Sequence, residues 1–445
     1  MRCPGRDGES VTLPPEFLIR TYREVIERDL MPFWLRAIDE VHGGVFTCFD
    51  NSGATLLSTD KYTWSQGRFV WLLAHLAEAA TDGRITADPD TLLEHARRAV
   101  DFLVAHAFTA HGHCAFVLTA DGTPFEPVAG RGVETSTSAD CFVVMGLAEY
   151  ARVARDEDVA RRALVAYESI IGRLERGEFR TEPYPFPPGY EAFSVPMLVL
   201  NVEQTLGRCL HTFGDARAAE ILDRAAARAR HLLNRFVIPS GITAELLPLD
   251  VHLESTLLAR HFNPGHAIEC MWFILQEARR VNDGAMILRA QSVLLAAIES
   301  GWDETHGGLL RFVDRAGGRP WGEPSGGRYE QLVVDTWDLK LWWPHSESLY
   351  ATLLAFSLTR DARALQAYER VHDYTFGTFP NPDRTIGEWI QIRDRAGDPL
   401  ERVVALPVKD PFHILRNALL ILELLEESVT PIRSERGGHG DAVHR

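Results

Sequence analysis

Apolar residues recur at helical spacing through most of the chain, and polar stretches rich in Gly and Pro interrupt them. The punctuation predicts twelve helices, near residues 15–31, 61–81, 90–110, 134–154, 158–175, 194–213, 215–236, 264–281, 283–300, 338–360, 362–379 and 411–428. Their connections alternate. Even-numbered helices are followed by short turns at 155–157, Gly214, Asn282 and 360–361. Odd-numbered helices are followed by long segments such as 32–60, 111–133, 237–263, 301–337 and 380–410. Hairpin signals lie inside these segments: residues 43–50 alternate and turn at Asn51-Ser52-Gly53, and 115–118 end at Ala120-Asp121-Gly122. Asp39-Glu40-Val41-His42-Gly43-Gly44 recurs as Asp303-Glu304-Thr305-His306-Gly307-Gly308, each time after an odd helix. Repeated helix pairs with all long loops at one end predict a closed ring of six helical hairpins, an (α/α)6 barrel. An open solenoid would need polar capping repeats, and none is evident. Residues 15–429 read as one catalytic domain, with a flexible N-terminus over 1–14 and a polar, Gly-rich, disordered tail over 430–445.

In such a ring the even helices are the inner ones, and they start on the face that carries the long loops. Loops on a rigid scaffold are where sites usually lie. Two of those starts share one plan: Asn263-Pro264-Gly265-His266 and Asp410-Pro411-Phe412-His413. Asn or Asp caps the helix, Pro takes the first position, and His falls in the first turn. There the helix dipole disfavours imidazolium, so both histidines are expected to be neutral and available as bases. Each alone reads as a capped, half-buried histidine. The pair suggests two proton-handling groups on one cavity.

Composition narrows the class. The net charge of −16 argues against a polyanion-binding surface, so no nucleic-acid partner is expected. The six cysteines are scattered without a CxxC pair, which fits a reduced cytoplasmic protein. No stretch has signal-peptide character or the apolar length of a membrane span. Only three lysines occur, Lys61, Lys340 and Lys409, all within aromatic motifs, which points to those segments.

Further chemistry clusters at the same helix starts. Trp64 and Arg68 are four apart and share a helical face, a pairing that suits sugar hydroxyls or an oxyanion. His266 and Glu269 are one turn apart, as are His413 and Arg416. Residues 337–347 bring Trp342, Trp343, His345 and Glu347, and the loop 380–410 adds Trp389. Aromatic rings in this number fit the walls of a carbohydrate site. No spacing fixes a metal-ligand set, so a metal-free acid/base site is expected. There is no P-loop or GxGxxG, and Gly326-Gly327 reads as a flexible loop.

KYTWSQGR (61–68), SVPMLVLNVEQ (194–204), NPGHAIECMWF (263–273), DLKLWWPHSESL (338–349) and FHILRNALLILE (412–423), with DEVHGG (39–44), keep one order along most of the chain. Together they resemble the N-acylglucosamine 2-epimerase family, whose members share the (α/α)6 barrel. The resemblance implies that His266 and His413 exchange the proton at C2 of an open-chain sugar through an enediolate. It implies that Arg68 holds the O1/O2 side and that Glu269 supports His266 and the substrate hydroxyls. Trp64, Trp389, Arg416 and His345 are carried over as substrate-binding residues; relatives often have Gln at the position of His345. No cofactor is implied for the chemistry. ATP is an allosteric activator in some members, and a homodimer is the expected assembly.

The substrate remains open at this stage. Mannose isomerase-like and cellobiose epimerase-like relatives usually carry a histidine in the helix-six motif, where this chain has Leu198. That departure favours a 2-acetamido sugar. Aldose–ketose isomerisation, or epimerisation of another free sugar, needs the same parts. From other classes, a glycoside hydrolase would use two carboxylates drawn from Glu269, Glu347 and Asp338, and a non-catalytic carbohydrate-binding or regulatory protein would keep the fold without the activity.

Overall fold

The computed structural model describes residues 14–404 and 406–429. The expected tail 430–445, and the expected flexible N-terminus apart from Pro14, lie outside them. The chain opens with α1 (Pro15–Glu24) and α2 (Met31–Arg36), joined by a π-helical stretch, Val25–Leu30. There follow α3 (Thr63–Thr81), α4 (Pro89–His106), α5 (Thr137–Ala154), α6 (Glu157–Glu175), α7 (Ser194–Thr212) and α8 (Arg217–Phe236). The second half adds α9 (Leu257–Arg260), α10 (Pro264–Arg280), α11 (Gly284–Gly301), α12 (Arg328–Thr336), α13 (Trp342–Thr359), α14 (Ala362–Thr378) and α15 (Phe412–Val429).

Helices α3, α5, α7, α10, α13 and α15 each pack on the next, and α15 returns to α3, so the ring closes. Helices α4, α6, α8, α11, α14 and α1 pack outside their partners. This is the (α/α)6 barrel, and its sequence logic is visible in the two layers. Inner helix α3 is buried on nearly every side, from Phe69 through Ala77. Outer helix α8 buries one stripe, Ala218, Ile221, Ala225, Ala229, Leu232 and Phe236, at helical spacing.

The short turns have a common construction. Arg155, Asn282 and Arg360 adopt left-handed backbone (φ 59°, 55° and 59°) and reverse the chain. The next residue is an aspartate that caps the outer helix: Asp156 accepts from Val159 N, Asp283 from Met286 N, and Asp361 from Arg363 N.

The local turns that the alternation predicts form as isolated bridges, Leu118 to Pro124 across Ala120-Asp121-Gly122 among them. At 38–56 the turn forms through isolated bridges, Ile38 to Val45 and Phe49 to Leu56. The regular pairs span a whole helical hairpin instead. Lys61–Tyr62 pairs with Val117–Leu118, Tyr190–Ala192 with Leu246–Pro248, His261–Phe262 with Val313–Asp314, and Lys340–Leu341 with Ile392–Arg393, all antiparallel. The two ends of each helical hairpin emerge side by side, so their free backbone groups meet there. Helices α9 and α12 lie within long loops and were not predicted; α12 starts directly after Gly326-Gly327.

The repeated motif and the lysines explain one another. Lys61 Nζ donates to Asp39 Oδ2 and to the Gly43 carbonyl, each at 2.7 Å. Lys340 Nζ donates to Asp303 Oδ2 (3.1 Å) and to the carbonyls of Gly307 (2.7 Å) and Gly308 (3.2 Å). Both glycines of each motif have positive φ, which curls the loop around the ammonium. Lys409 Nζ donates to the carbonyls of Asn51 and Trp389. All three lysines are buried and tie loops to the helix-start face.

Candidate active site

The inner helices start at one end of the ring, around a cavity of about 340 Å³. Each contributes a lining residue from its opening turns: Arg68, Phe142, Leu198, His266, Trp343 and His413. The close crossing of α3 and α5 sets the first two. A Cβ on Gly67 would meet the Phe142 backbone, and one on Gly146 would meet the Gly67 carbonyl. Only glycine allows this approach, and it packs the Arg68 guanidinium 3.9 Å from the Phe142 ring centroid. Trp64 faces Arg68 as its spacing predicted, with the guanidinium 5.3 Å from the Trp64 ring.

His266 sits in the first turn of α10, where Asn263 caps its backbone N–H at 3.2 Å. Its Nδ1 lies 2.8 Å from Glu245 Oε1. A carboxylate at Nδ1 fixes the ring and leaves Nε2 for the cavity. Burial pulls the His266 pKa down, but the Glu245 charge and hydrogen bond outweigh it and raise the value above the ordinary one. The expectation of a neutral-biased ring is therefore corrected for His266, because a carboxylate in contact dominates the more distant helix dipole.

His413 sits in the first turn of α15. Asp410 accepts from the Phe412 N–H at 2.7 Å and also pairs with Arg68, so one residue caps the helix and holds the arginine. His413 Nδ1 lies 2.6 Å from Glu347 Oε1. Arg416 Nη2 donates to Glu347 and to Glu269, each at 2.7 Å. Trp272 Nε1 donates to the other Glu347 oxygen at 2.6 Å. Burial would raise the Glu347 pKa, yet Arg416 and these hydrogen bonds bring it down to about 2. Glu347 is thus a fixed carboxylate behind His413. The Trp343 ring centroid is 5.5 Å from the His266 ring and 5.5 Å from the His413 ring, so one indole packs against both imidazoles.

The sequence-derived residues divide into two sets. His266, His413, Arg68, Trp64, Glu269 and Arg416 all line the cavity. His345 and Trp389 are not among the lining residues. His345 is fully buried, with Nδ1 on the Leu341 carbonyl at 2.6 Å and Nε2 accepting from Leu309 N–H at 2.8 Å. Burial pushes its pKa down to about 3. Trp343 and His345 are two residues apart on α13, about 200° around the helix, so they face opposite ways. Trp389 stacks on Phe379 in the core, and its carbonyl receives Lys409. Glu269 meets Arg416, and Glu245 takes the place expected of it beside His266. Glu245 carries no sequence signal, since it lies in a loop 21 positions before the ring it holds.

Glu269, Glu347 and His413 offer three ligand atoms within 4.8 Å of one another. Arg416 already donates to both carboxylates, so the positive charge that such a cluster attracts is supplied by the protein.

The N-acylglucosamine 2-epimerase (GlcNAc 2-epimerase) family matches residues 44–416. Among curated relatives, the N-acylglucosamine 2-epimerase of Bos taurus is 32% identical over 418 residues, covering 92% of each chain. Among solved structures, the cellobiose 2-epimerase of Spirochaeta thermophila superposes with a TM-score of 0.71 at 18% identity, over 94% of this chain and 98% of that one. A D-mannose isomerase superposes at 0.69 and 17% identity, over 95% and 100%. These two likenesses establish the fold; the two proteins have different activities from one another.

Proposed function

The chain belongs to the N-acylglucosamine 2-epimerase family, and we propose that it interconverts N-acylglucosamine and N-acylmannosamine type sugars at C2. It is an isomerase with sugar 2-epimerase chemistry, and the acylamino sugar is the specific reading. The observation that carries it is the pair of carboxylate-held histidines that share one cavity and pack against one indole, Trp343. Epimerisation removes the C2 proton to one base and returns one from an acid on the opposite face of a planar enolate, whose charge develops on O1 of an acylamino sugar. His266 and His413 fill these roles through their Nε2 atoms. Arg68, held by Asp410, stabilises the oxyanion that develops when the proton leaves. Glu269 and Arg416 hold each other and present polar groups to the hydroxyls. Leu198, where a histidine marks the mannose and cellobiose branches, favours the acetamido sugar.

Both proton transfers use side chains alone, and no resident cofactor enters the scheme. ATP as allosteric activator, a homodimer and a cytoplasmic location belong to the same reading and rest on the resemblance. Among the described residues, no helix is long and apolar enough to cross a membrane.

Proton NMR in D2O tests the assignment, with N-acetylmannosamine, mannose and glucose in separate tubes, with and without ATP. Deuterium at C2 of the acetamido sugar with N-acetylglucosamine appearing is the expected result. Exchange in mannose with fructose forming would move the protein to the aldose–ketose isomerases. Exchange in none of the tubes would sink the substrate assignment. His266→Asn and His413→Asn should each abolish epimerisation while sugar binding persists; turnover that survives both substitutions would remove the histidines from the chemistry.

A further inference from the structure

Among the described residues, three arginines line the cavity: Arg68, Arg311 and Arg416. Arg68 is paired with Asp410, and Arg416 with Glu269 and Glu347. Arg311 is different. Only 9% of its surface is exposed, yet no carboxylate among the described residues pairs with it. Its Nη1 donates to Thr336 Oγ1 at 3.0 Å, a neutral acceptor at the end of α12. The groups that act on it electrostatically are Tyr329, Tyr184 and Arg402, and Arg402 is a second positive charge. Burial lowers its pKa to about 10, where an ion pair would have raised it.

Burying a guanidinium without a counter-ion carries a desolvation cost that nothing repays. A chain gains from such a group where a ligand supplies the missing charge. The surroundings are built for that: Thr336 fixes the guanidinium from one side, the Phe312 ring centroid lies 5.0 Å from it, and Tyr329 also lines the cavity. Arg311 also acts electrostatically on His266, so it belongs to the reacting end of the cavity.

We propose that the sugar carries an anionic substituent, a carboxylate or a phosphate, and that Arg311 binds it. This rests on the sugar reading above and narrows its substrate class. Arg311 offers two-pronged hydrogen bonds to paired anionic oxygens, a geometry that a neutral hydroxyl uses poorly. The anion replaces the missing carboxylate and makes Arg311 the counterpart of the other two paired arginines.

The test compares C2 deuterium exchange for N-acetylmannosamine, N-acetylmannosamine 6-phosphate and N-acetylmuramic acid, using the full chain, Arg311→Gln and Arg311→Lys. The native protein should favour one acidic sugar over the neutral one in kcat/KM, chiefly through KM. The phosphate and carboxylate arms identify which anion it is. The acidic-to-neutral ratio should fall about tenfold or more in Arg311→Gln and recover only in part in Arg311→Lys, which keeps the charge without the two-pronged geometry. A native preference for the neutral sugar, or an equal loss for all three sugars in Arg311→Gln, would overturn the proposal. Calorimetric binding of the same sugars to native protein and Arg311→Gln separates this idea from the epimerase assignment. With no exchange in any sugar, tighter Arg311-dependent binding of an acidic one still supports the anion site, and equal binding of all three rejects it.

Discussion

Glu245 Oε1 lies 2.8 Å from His266 Nδ1, so a loop carboxylate sets both the orientation and the basicity of a histidine on α10. Replacing it should act on rate more than on stability. Glu245→Gln keeps the shape and removes the charge. The expected outcome is a loss of about 10²-fold in kcat. Because Glu245 holds the His266 pKa above its ordinary value, the rising limb of the pH–rate profile should move to lower pH in the variant. A profile that keeps its position would detach this carboxylate from the base.

A second buried histidine makes a pH prediction. His75 contacts Glu149 through Nδ1 and Glu423 through Nε2, each at 2.9 Å. Burial alone would lower its pKa, but the two carboxylates push it up to about 10. A raised folded-state pKa gives stability that is complete below the unfolded value of about 6.5 and lost as pH rises through the folded one. Melting temperature should therefore fall by a few degrees between pH 7 and pH 10. His75→Gln should flatten that slope; an unchanged slope would assign it to other groups.

The α3–α5 crossing predicts a sharp contrast between two glycines. At Gly146 a Cβ would press on the Gly67 carbonyl, whereas at Gly377, in α14, it meets nothing within 4 Å. Gly146→Ala should cost about 1–3 kcal/mol by overpacking, and Gly377→Ala should be neutral or stabilising by up to about 1 kcal/mol. Denaturant unfolding of the two variants checks both signs.

Removing one partner of a buried ion pair leaves the other uncompensated. Lys61→Met leaves Asp39 and the Gly43 carbonyl without their ammonium. The expected destabilisation is about 3–5 kcal/mol, read by chemical denaturation. A variant as stable as the native protein would show that the lysine is dispensable to its loop.

The architecture was legible because it depends on local signals. Twelve helices and their alternating connections follow from periodicity and punctuation within a few residues of each element. Trp64 with Arg68, and the two Pro-x-His starts, were legible for the same reason. Contacts across the ring were not. The partner of His266 is Glu245 from a loop, and that of His413 is Glu347 from α13, and no spacing rule links such positions. His345 shows the opposite failure: a histidine near a helix start whose angular position turns it into the core. The neutral-histidine expectation failed at His266 because helix dipoles are legible in sequence and cross-loop carboxylates are not.

The three lysine staples have a practical consequence for amine chemistry. Every lysine of the chain is buried, and each ammonium is held by two or more oxygens or carbonyls. An acylating reagent therefore meets no exposed lysine on the native protein. Each ε-amine modified reports that its loop has let go of its helix start, so acylation kinetics become a site-resolved clock for opening of the active-site face.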